Sequence, residues 1–76
     1  MRLTDREQDV LERIAVGQTN KEIAAALGIS IQAVKIHVSL MLRKLIVPNR
    51  AALVLVALRH GLLDEHELAP IGTRQS

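Results

Sequence analysis

Residues 19–45, TNKEIAAALGISIQAVKIHVSLMLRKL, decide the fold because they predict two helices with almost no turn between them. Thr19 and Glu22 have the spacing of a capping box, which predicts a short helix that ends at Gly28. Ser30 then predicts the N-cap of a longer helix. Two helices joined by so short a Gly-containing turn cannot lie antiparallel, so we expect them to cross steeply as a helix-turn-helix.

Caps and apolar spacing predict one further helix on each side of this pair. Thr4 and Glu7 form another capping box before an apolar stripe of helical period. Asn49 follows Pro48, which cannot continue a helix, and it predicts the N-cap of a last helix. The chain is therefore predicted to be an all-α, four-helix domain. The helices are expected at about 5–16, 20–27, 31–45 and 50–60.

The composition of the 76 residues argues against several classes of protein. The chain has no cysteine for thiolate metal sites or disulfides, and no Phe, Tyr or Trp ring on which an unpaired base stacks. It shows neither an apolar run of membrane-spanning length nor a secretory leader. We expect a cytoplasmic protein without catalytic residues, metal or cofactor. One domain is predicted over 1–63, followed by a flexible tail over 64–76.

Positive charge is concentrated in the middle of the chain. The formal net charge is +2, yet residues 13–63 carry seven Lys or Arg side chains against Glu22 alone, which is a net charge of +6. A basic centre favours a polyanion such as duplex DNA, because neutralised phosphates release condensed counterions. On charge alone, however, ordinary solvated helix faces explain the pattern better.

The third helix is predicted to have two separate faces. At about 100° per residue, its apolar positions fall on one arc that we expect to face the core. These core positions are Val34, Val38, Met41, Leu42 and Leu45. A second arc, the outward stripe, carries long donors, a hydroxyl and one branched apolar side chain. The outward stripe consists of Gln32, Lys35, Ile36, Ser39 and Arg43.

The motifs and their order resemble the LuxR-type (GerE-type) helix-turn-helix domain of bacterial transcriptional regulators. The resemblance covers residues 3–63 and is specific because several spaced motifs occur in the right order. The matching stretches are Leu3-Thr4-x-Arg6-Glu7 with Val10-Leu11, Gly17-x-Thr19-Asn20-Lys21-Glu22-Ile23-Ala24, Leu27-x-Ile29-Ser30, Val34-Lys35-x-His37, Lys44-Leu45-x-Val47 with Asn49-Arg50, and Ala57 with Gly61-Leu62-Leu63. The resemblance implies a sequence-specific DNA-binding regulator of transcription or the output domain of one.

Five positions depart from the family pattern. Gln8 and Thr19 stand where Glu and Ser are usual, and Leu40 replaces a common polar residue. Ile46 replaces the Gly that commonly follows the third helix, and Ala52 replaces a frequent Glu. These changes affect helix ends and packing, and they leave the outward stripe intact.

The resemblance implies that the third helix lies in the major groove with the outward stripe against base edges. Lys35 is expected to donate to guanine, Ile36 to contact a thymine methyl group, and Ser39 to read or position a neighbouring base. The predicted base-reading residues are Gln32, Lys35, Ile36 and Ser39. The predicted phosphate contacts are Thr19, Asn20, Lys21, Ser30, Arg43 and Lys44.

The fourth helix is apolar nearly all round, although three short neighbours cover only one face of it. The resemblance assigns Leu53, Val54 and Ala57 to the core. The apolar positions left over form what we name the α4 stripe, which consists of Ala51, Leu55, Leu58 and Leu62. We expect it to be a homodimer face that sets two third helices on two DNA half-sites. Packing against another domain is the alternative.

The expected partners are double-stranded DNA and a second copy of the chain, with RNA polymerase and a covalently linked signal-receiving domain as further candidates. No membrane is expected. Two other functions stay open. One is a promoter- and polymerase-binding module like region 4 of a sigma factor. The other is a small helical adaptor whose fourth helix binds a protein and whose basic middle is incidental.

Overall fold

Helices form where the caps and the apolar spacing predict them. The computed structural model describes residues 2–67, and over that range it confirms an all-α architecture without strands. The predicted bounds hold to within one residue, since the first and last helices end one residue early, at C-caps Val16 and His60. The helices are α1 Asp5–Ala15, α2 Asn20–Leu27, α3 Ile31–Leu45 and α4 Arg50–Arg59.

A short 3-10 turn, Glu65–Glu67, follows α4 within the segment predicted to be a tail. The rest of that predicted tail, residues 68–76, lies outside the described residues.

Side-chain caps hold the start of every α-helix. In both capping boxes the bonds are reciprocal: Thr4 Oγ1 accepts from the Glu7 amide at 3.0 Å, while Glu7 Oε1 accepts from the Thr4 amide at 2.9 Å. Thr19 and Glu22 form the same pair of bonds at 3.1 and 2.8 Å. Single caps from Ser30 and Asn49 begin α3 and α4. Since each cap satisfies an otherwise unpaired amide, the helix starts are fixed locally.

The α2–α3 pair has the predicted steep crossing, with a bend of 110° between the two helices. Gly28 ends α2 in the left-handed conformation at φ 68°, which glycine adopts without strain. The Ile29 amide then donates to the Ala24 carbonyl at 3.1 Å and closes the turn. No single helix within residues 2–67 is long and apolar enough to cross a membrane; this bent pair reaches that length and hydropathy only as two segments together.

The core lies around α3, which packs against all three other α-helices. The largest side chains that are fully buried come from each of the four helices. They are Leu11, Ile23, Met41, Leu53, Val10 and Val34. The predicted core face of α3 is confirmed, with Val38 and Leu42 half-buried against the same cluster.

Two adjacent residues of α1 hold the C-terminal end of α3 and the segment that follows α4. Lys44 Nζ pairs with Glu7 Oε1 at 2.6 Å, and Gln8 Nε2 donates to the Leu62 carbonyl at 2.9 Å. Burial raises the pKa of the Glu7 carboxyl, but hydrogen bonds from Lys44 and the Thr4 amide outweigh it and hold the pKa below its usual 4.5. Glu7 is therefore an ionised, buried anchor for α3 at neutral pH.

Ile46 ends α3 in the left-handed conformation, at φ 56° and ψ 55°. It is the single non-glycine residue with positive φ in the part of the chain that the structure describes, and its side chain is 88% exposed. A β-branched residue is strained in this region of φ and ψ, where the LuxR pattern commonly has glycine. The residue with the strained backbone therefore ends α3 with its side chain in solvent.

Candidate nucleic-acid interface

The outward stripe forms one continuous exposed surface along α3. Its five residues and Leu40 together line a shallow depression of about 230 Å³. All six side chains are exposed, because the opposite face of α3 carries the buried Val34, Met41 and Leu45. The structure thus brings together Gln32, Lys35, Ile36 and Ser39, the four residues predicted to read bases.

The cations of the stripe are free to bind an external anion. Among residues 2–67, the side chains of Lys35 and Arg43 show no hydrogen bond or ion pair, whereas that of Lys44 is paired with Glu7. Acidic side chains gather elsewhere: Asp9 and Glu12 line a separate depression of about 480 Å³ between α1 and α2. The α3 surface therefore presents positive charge that its own neighbours leave unneutralised.

The starts of α2 and α3 offer hydrogen-bond donors to an anion. Thr19 Oγ1 and Ser30 Oγ each accept an amide of their own helix, and each hydroxyl keeps its O–H group, which is the donor that a phosphate contact would use. The first amides of α2, those of Asn20 and Lys21, have no partner within the helix. Together with the helix dipole, they make this end electropositive.

Arg50 is a positioning residue to which the sequence analysis gave no role. Its guanidinium donates to the Gln18 carbonyl at 2.7 Å and to Asn20 Oδ1 at 2.5 Å. The first residue of α4 thereby fixes the start of α2, and Asn20 keeps its Nδ2 group as a donor. In the sequence, Arg50 stands out only through the match to the family pattern at Asn49-Arg50. That match does not predict its contacts with Gln18 and Asn20.

Lys44 is not brought to the outward stripe. Its ammonium lies against α1, where it donates to Glu7 Oε1 and, at 3.4 Å, to the Arg2 carbonyl. A phosphate contact by Lys44 therefore competes with a buried carboxylate that is already 2.6 Å away. Of the predicted phosphate contacts, Lys44 is the one whose side chain forms an ion pair within residues 2–67.

The α4 stripe divides into an exposed half and a half that the core uses. Ala51 and Leu55 are exposed, Leu55 by 63%, while Leu58 and Leu62 are half-buried and pack against the core. Leu62 is also held through its carbonyl by Gln8. The free apolar surface of α4 is therefore centred on Leu55 and is narrower than the sequence suggested.

The described side chains show no metal-binding geometry: within residues 2–67, no group of three or more His, Asp or Glu residues is arranged to hold an ion. The candidate interface consists of a helix face with two free cations, together with helix starts whose first amides have no partner within the helix. Such an arrangement is suited to contact with an anionic surface.

Comparison with known proteins identifies similar sequences. The sequence profile described as "Bacterial regulatory proteins, luxR family" matches residues 1–57. The chain is 54% identical over 63 residues to the uncharacterized transcriptional regulatory protein YhcZ of Bacillus subtilis, a match that covers 83% of this chain and 29% of that protein. It is 48% identical over 62 residues to the response regulator protein VraR of Staphylococcus aureus, covering 82% and 30% of the two chains.

A solved structure, that of VqmA bound to DPO, has the same arrangement of helices. It superposes with a TM-score of 0.76 at 31% sequence identity, over 82% of this chain and 31% of that one. The chain thus spans less than a third of the length of each of these three proteins.

Proposed function

The chain belongs to the LuxR family of bacterial regulatory proteins, and from this premise we propose that it binds double-stranded DNA sequence-specifically to regulate transcription in the cytoplasm. The observation that carries the proposal is the outward stripe: a face of α3 that is exposed along its whole length and carries unpaired cations at Lys35 and Arg43. Among the relatives of the chain, YhcZ is named a transcriptional regulatory protein and VraR a response regulator protein, which supports the same function.

We assign base reading to Gln32, Lys35, Ile36 and Ser39. The major groove admits one α-helix and shows a different set of donors, acceptors and methyl groups for each base pair. Lys35 donates to guanine O6 and N7, and Ile36 contacts a thymine methyl group. Ser39 and Gln32, which donate or accept, read or position the neighbouring bases.

Phosphate contacts fix the register of α3 without choosing the sequence. We assign them to the first amides and the side chains at the starts of α2 and α3, and to Arg43 on the stripe. Arg50 supports this set indirectly, because it orients Asn20. Lys44 joins the set only where the phosphate backbone outcompetes Glu7.

A matched pair of variants tests the DNA-binding proposal. Lys35→Ala should cost about 1–3 kcal/mol on the selected site and relax the preference at one base position. Lys21→Ala should weaken binding to all sequences alike and lower the salt slope by about one. Arg59→Ala, which removes an exposed cation at the end of α4, is the control. Affinities are measured by fluorescence anisotropy on selected and random duplexes at several salt concentrations.

The proposal fails if Lys35→Ala and Lys21→Ala lose equal affinity on selected and random duplexes. The adaptor alternative makes a different prediction. If the chain is an adaptor, two-dimensional NMR with a random duplex should show no salt-dependent shifts over residues 20–44. Shifts confined to 51–63 on addition of a protein partner would favour that alternative.

Dimerisation through the exposed half of the α4 stripe is the second part of the proposal. Leu55 is exposed to solvent on a helix without a polar face. Burying an apolar side chain of this size against a second copy is favourable. Leu55→Glu should leave the fold intact and give a monomer with weak binding to paired half-sites. Ile46→Glu places the same charge on an exposed residue outside the stripe. Equal sedimentation of Leu55→Glu and the wild type would refute the dimer face.

Regulation of the domain is inferred from its relatives. VraR is named a response regulator, and the chain matches only 30% of its length. We infer that a signal-receiving domain, linked or separate, controls this domain. Contact with RNA polymerase stays a prediction.

A further inference from the structure

Two neighbouring apolar side chains of α3 are exposed and take no part in the core. Ile36 is 51% exposed and Leu40 is 42% exposed, and neither belongs to the buried cluster or to the half-buried side chains that pack against it. Val38 and Leu42, on the other side of the helix, do pack against it. Packing within the domain therefore does not explain why positions 36 and 40 carry large apolar side chains.

Ile36 and Leu40 form a ridge along the outward stripe. Residues four apart lie one above the other on a helix, with Cβ atoms about 5–6 Å apart. Both side chains line the depression that also contains Lys35 and Arg43. The ridge is thus apolar, but unpaired cations border it on the same surface.

We infer that Leu40 is a second apolar base reader, which together with Ile36 selects a pair of thymine methyl groups in the half-site. The inference rests on the proposed function and adds a residue that the predicted base-reading set omits. Leucine has no donor or acceptor, and the C5-methyl of thymine is the apolar group on the major-groove edge of a base pair.

The surrounding charge favours DNA as the occupant of this ridge. An apolar protein partner would have to bury Lys35 and Arg43 without any acid from this chain to neutralise them, at a large desolvation cost. Phosphates and guanine edges supply the acceptors that both cations need. Base pairs succeed one another at about 3.4 Å, so a ridge of about 5–6 Å spans one to two steps. The two thymines are therefore expected within two base pairs of each other.

Replacing thymine by deoxyuridine tests the inference, because the exchange removes only the methyl group. Sites are first selected from a random duplex pool with the wild-type chain. Deoxyuridine at either of two nearby positions should weaken wild-type binding about fourfold, as expected for one buried methyl group. Leu40→Ala should abolish the effect at one position, and Ile36→Ala at the other.

Ile46→Ala is the matched control, since Ile46 is exposed and apolar but does not line the depression. It should keep the full response to deoxyuridine at both positions. Thermal melting of each variant shows whether the fold is retained; a loss of the response at one position with the other intact already requires a folded protein.

The possible results separate this inference from the proposed function. If the wild type selects sites but tolerates deoxyuridine throughout, or if Leu40→Ala responds like the wild type, Leu40 is not a methyl reader. If protein ligands rather than duplexes shift the NMR signals of Ile36 and Leu40, the ridge binds protein and the inference is wrong. If the wild type selects no sequence at all, the proposed function itself fails.

Discussion

α3 and α4 both present a face that the core does not use, and the two faces differ in chemistry. α3 exposes unpaired cations, short polar groups and two apolar side chains around one depression. α4 exposes Ala51 and Leu55, and its polar residues stand near its two ends. The free face of a helix thus indicates its partner: that of α3 fits a polyanion with apolar spots, and that of α4 fits another apolar surface.

The two helices also differ in how they end. α3 ends at the strained Ile46 and is tied to α1 by the ion pair between Lys44 and Glu7. α4 is followed by Gly61 at φ 72° and is tied by a neutral hydrogen bond from Gln8. The end of α3 is therefore expected to depend on pH, and that of α4 much less so.

The sharpest contrast within α4 is between its buried and its exposed leucine. Leu53→Ala should lower the free energy of unfolding by about 2–5 kcal/mol, because Leu53 is fully buried and the truncation leaves a cavity. Leu55→Ala, two residues away, should change it by less than about 0.5 kcal/mol at concentrations where the chain is monomeric. Urea unfolding followed by circular dichroism measures both. Equal losses would mean that α4 packs on another face.

The ion pair between Glu7 and Lys44, which connects α1 to α3, predicts that the stability of the domain depends on pH. Glu7→Gln keeps a residue suited to the capping box but removes the ion pair with Lys44. It should lower the free energy of unfolding by about 1–2 kcal/mol at pH 7. The loss is no larger because solvent partly screens Lys44. The lowered pKa of Glu7 stabilises the fold above about pH 4.5, and this stabilisation is lost as the pH falls through the folded-state pKa. The unfolding energies of variant and wild type should therefore converge in acid.

Urea unfolding between pH 3 and pH 7 checks this convergence. Asp9→Asn removes an exposed carboxylate from the same helix and serves as the control. A constant difference between Glu7→Gln and the wild type at every pH would show that the ion pair is not the source of the loss.

The hydrogen bond to the Leu62 carbonyl, beyond the end of α4, depends on a donor at position 8. Gln8→Glu replaces the amide by a carboxylate that faces the Leu62 carbonyl and Glu12, both of which are acceptors. We expect a loss of about 1 kcal/mol, from the unpaired carbonyl and the like charges four residues apart. Gln8→Met removes the donor without adding charge, so the difference between the two variants in thermal melts isolates the repulsion. A Glu variant as stable as the wild type would show that the bond contributes nothing.

The smallest effect is expected at the end of α3, and it has the opposite sign. Ile46→Gly should stabilise the domain by about 0.5–1 kcal/mol, because it relieves the left-handed strain and removes no buried contact. Gly61→Ala is the reciprocal change beyond α4, where a Cβ has space but the conformation is unfavourable, and it should destabilise by a similar amount. Shifts of the same sign in the two melting temperatures would contradict this difference between the helix ends.

Much of the architecture was predictable because its signals are local. The capping boxes at Thr4 and Thr19 and the caps at Ser30 and Asn49 act within four residues, and each begins a helix where expected. The outward stripe of α3 followed from helical periodicity, since a helix that buries Val34 and Met41 must expose Lys35 and Ser39. The family was also recognisable from the order of the motifs.

Long-range contacts could not be read in the same way. The sequence does not indicate that Lys44 turns to Glu7, that Gln8 reaches the Leu62 carbonyl, or that Arg50 holds Asn20. Periodicity failed on α4 as well, because a helix that is apolar all round has no preferred face until its neighbours pack. The sequence by itself determined the helices, the turn and the exposed stripe of α3, since local hydrogen bonds and period set these. Only the tertiary structure decided which charges are neutralised and which leucine of α4 stays exposed, since both depend on residues that are distant in the chain.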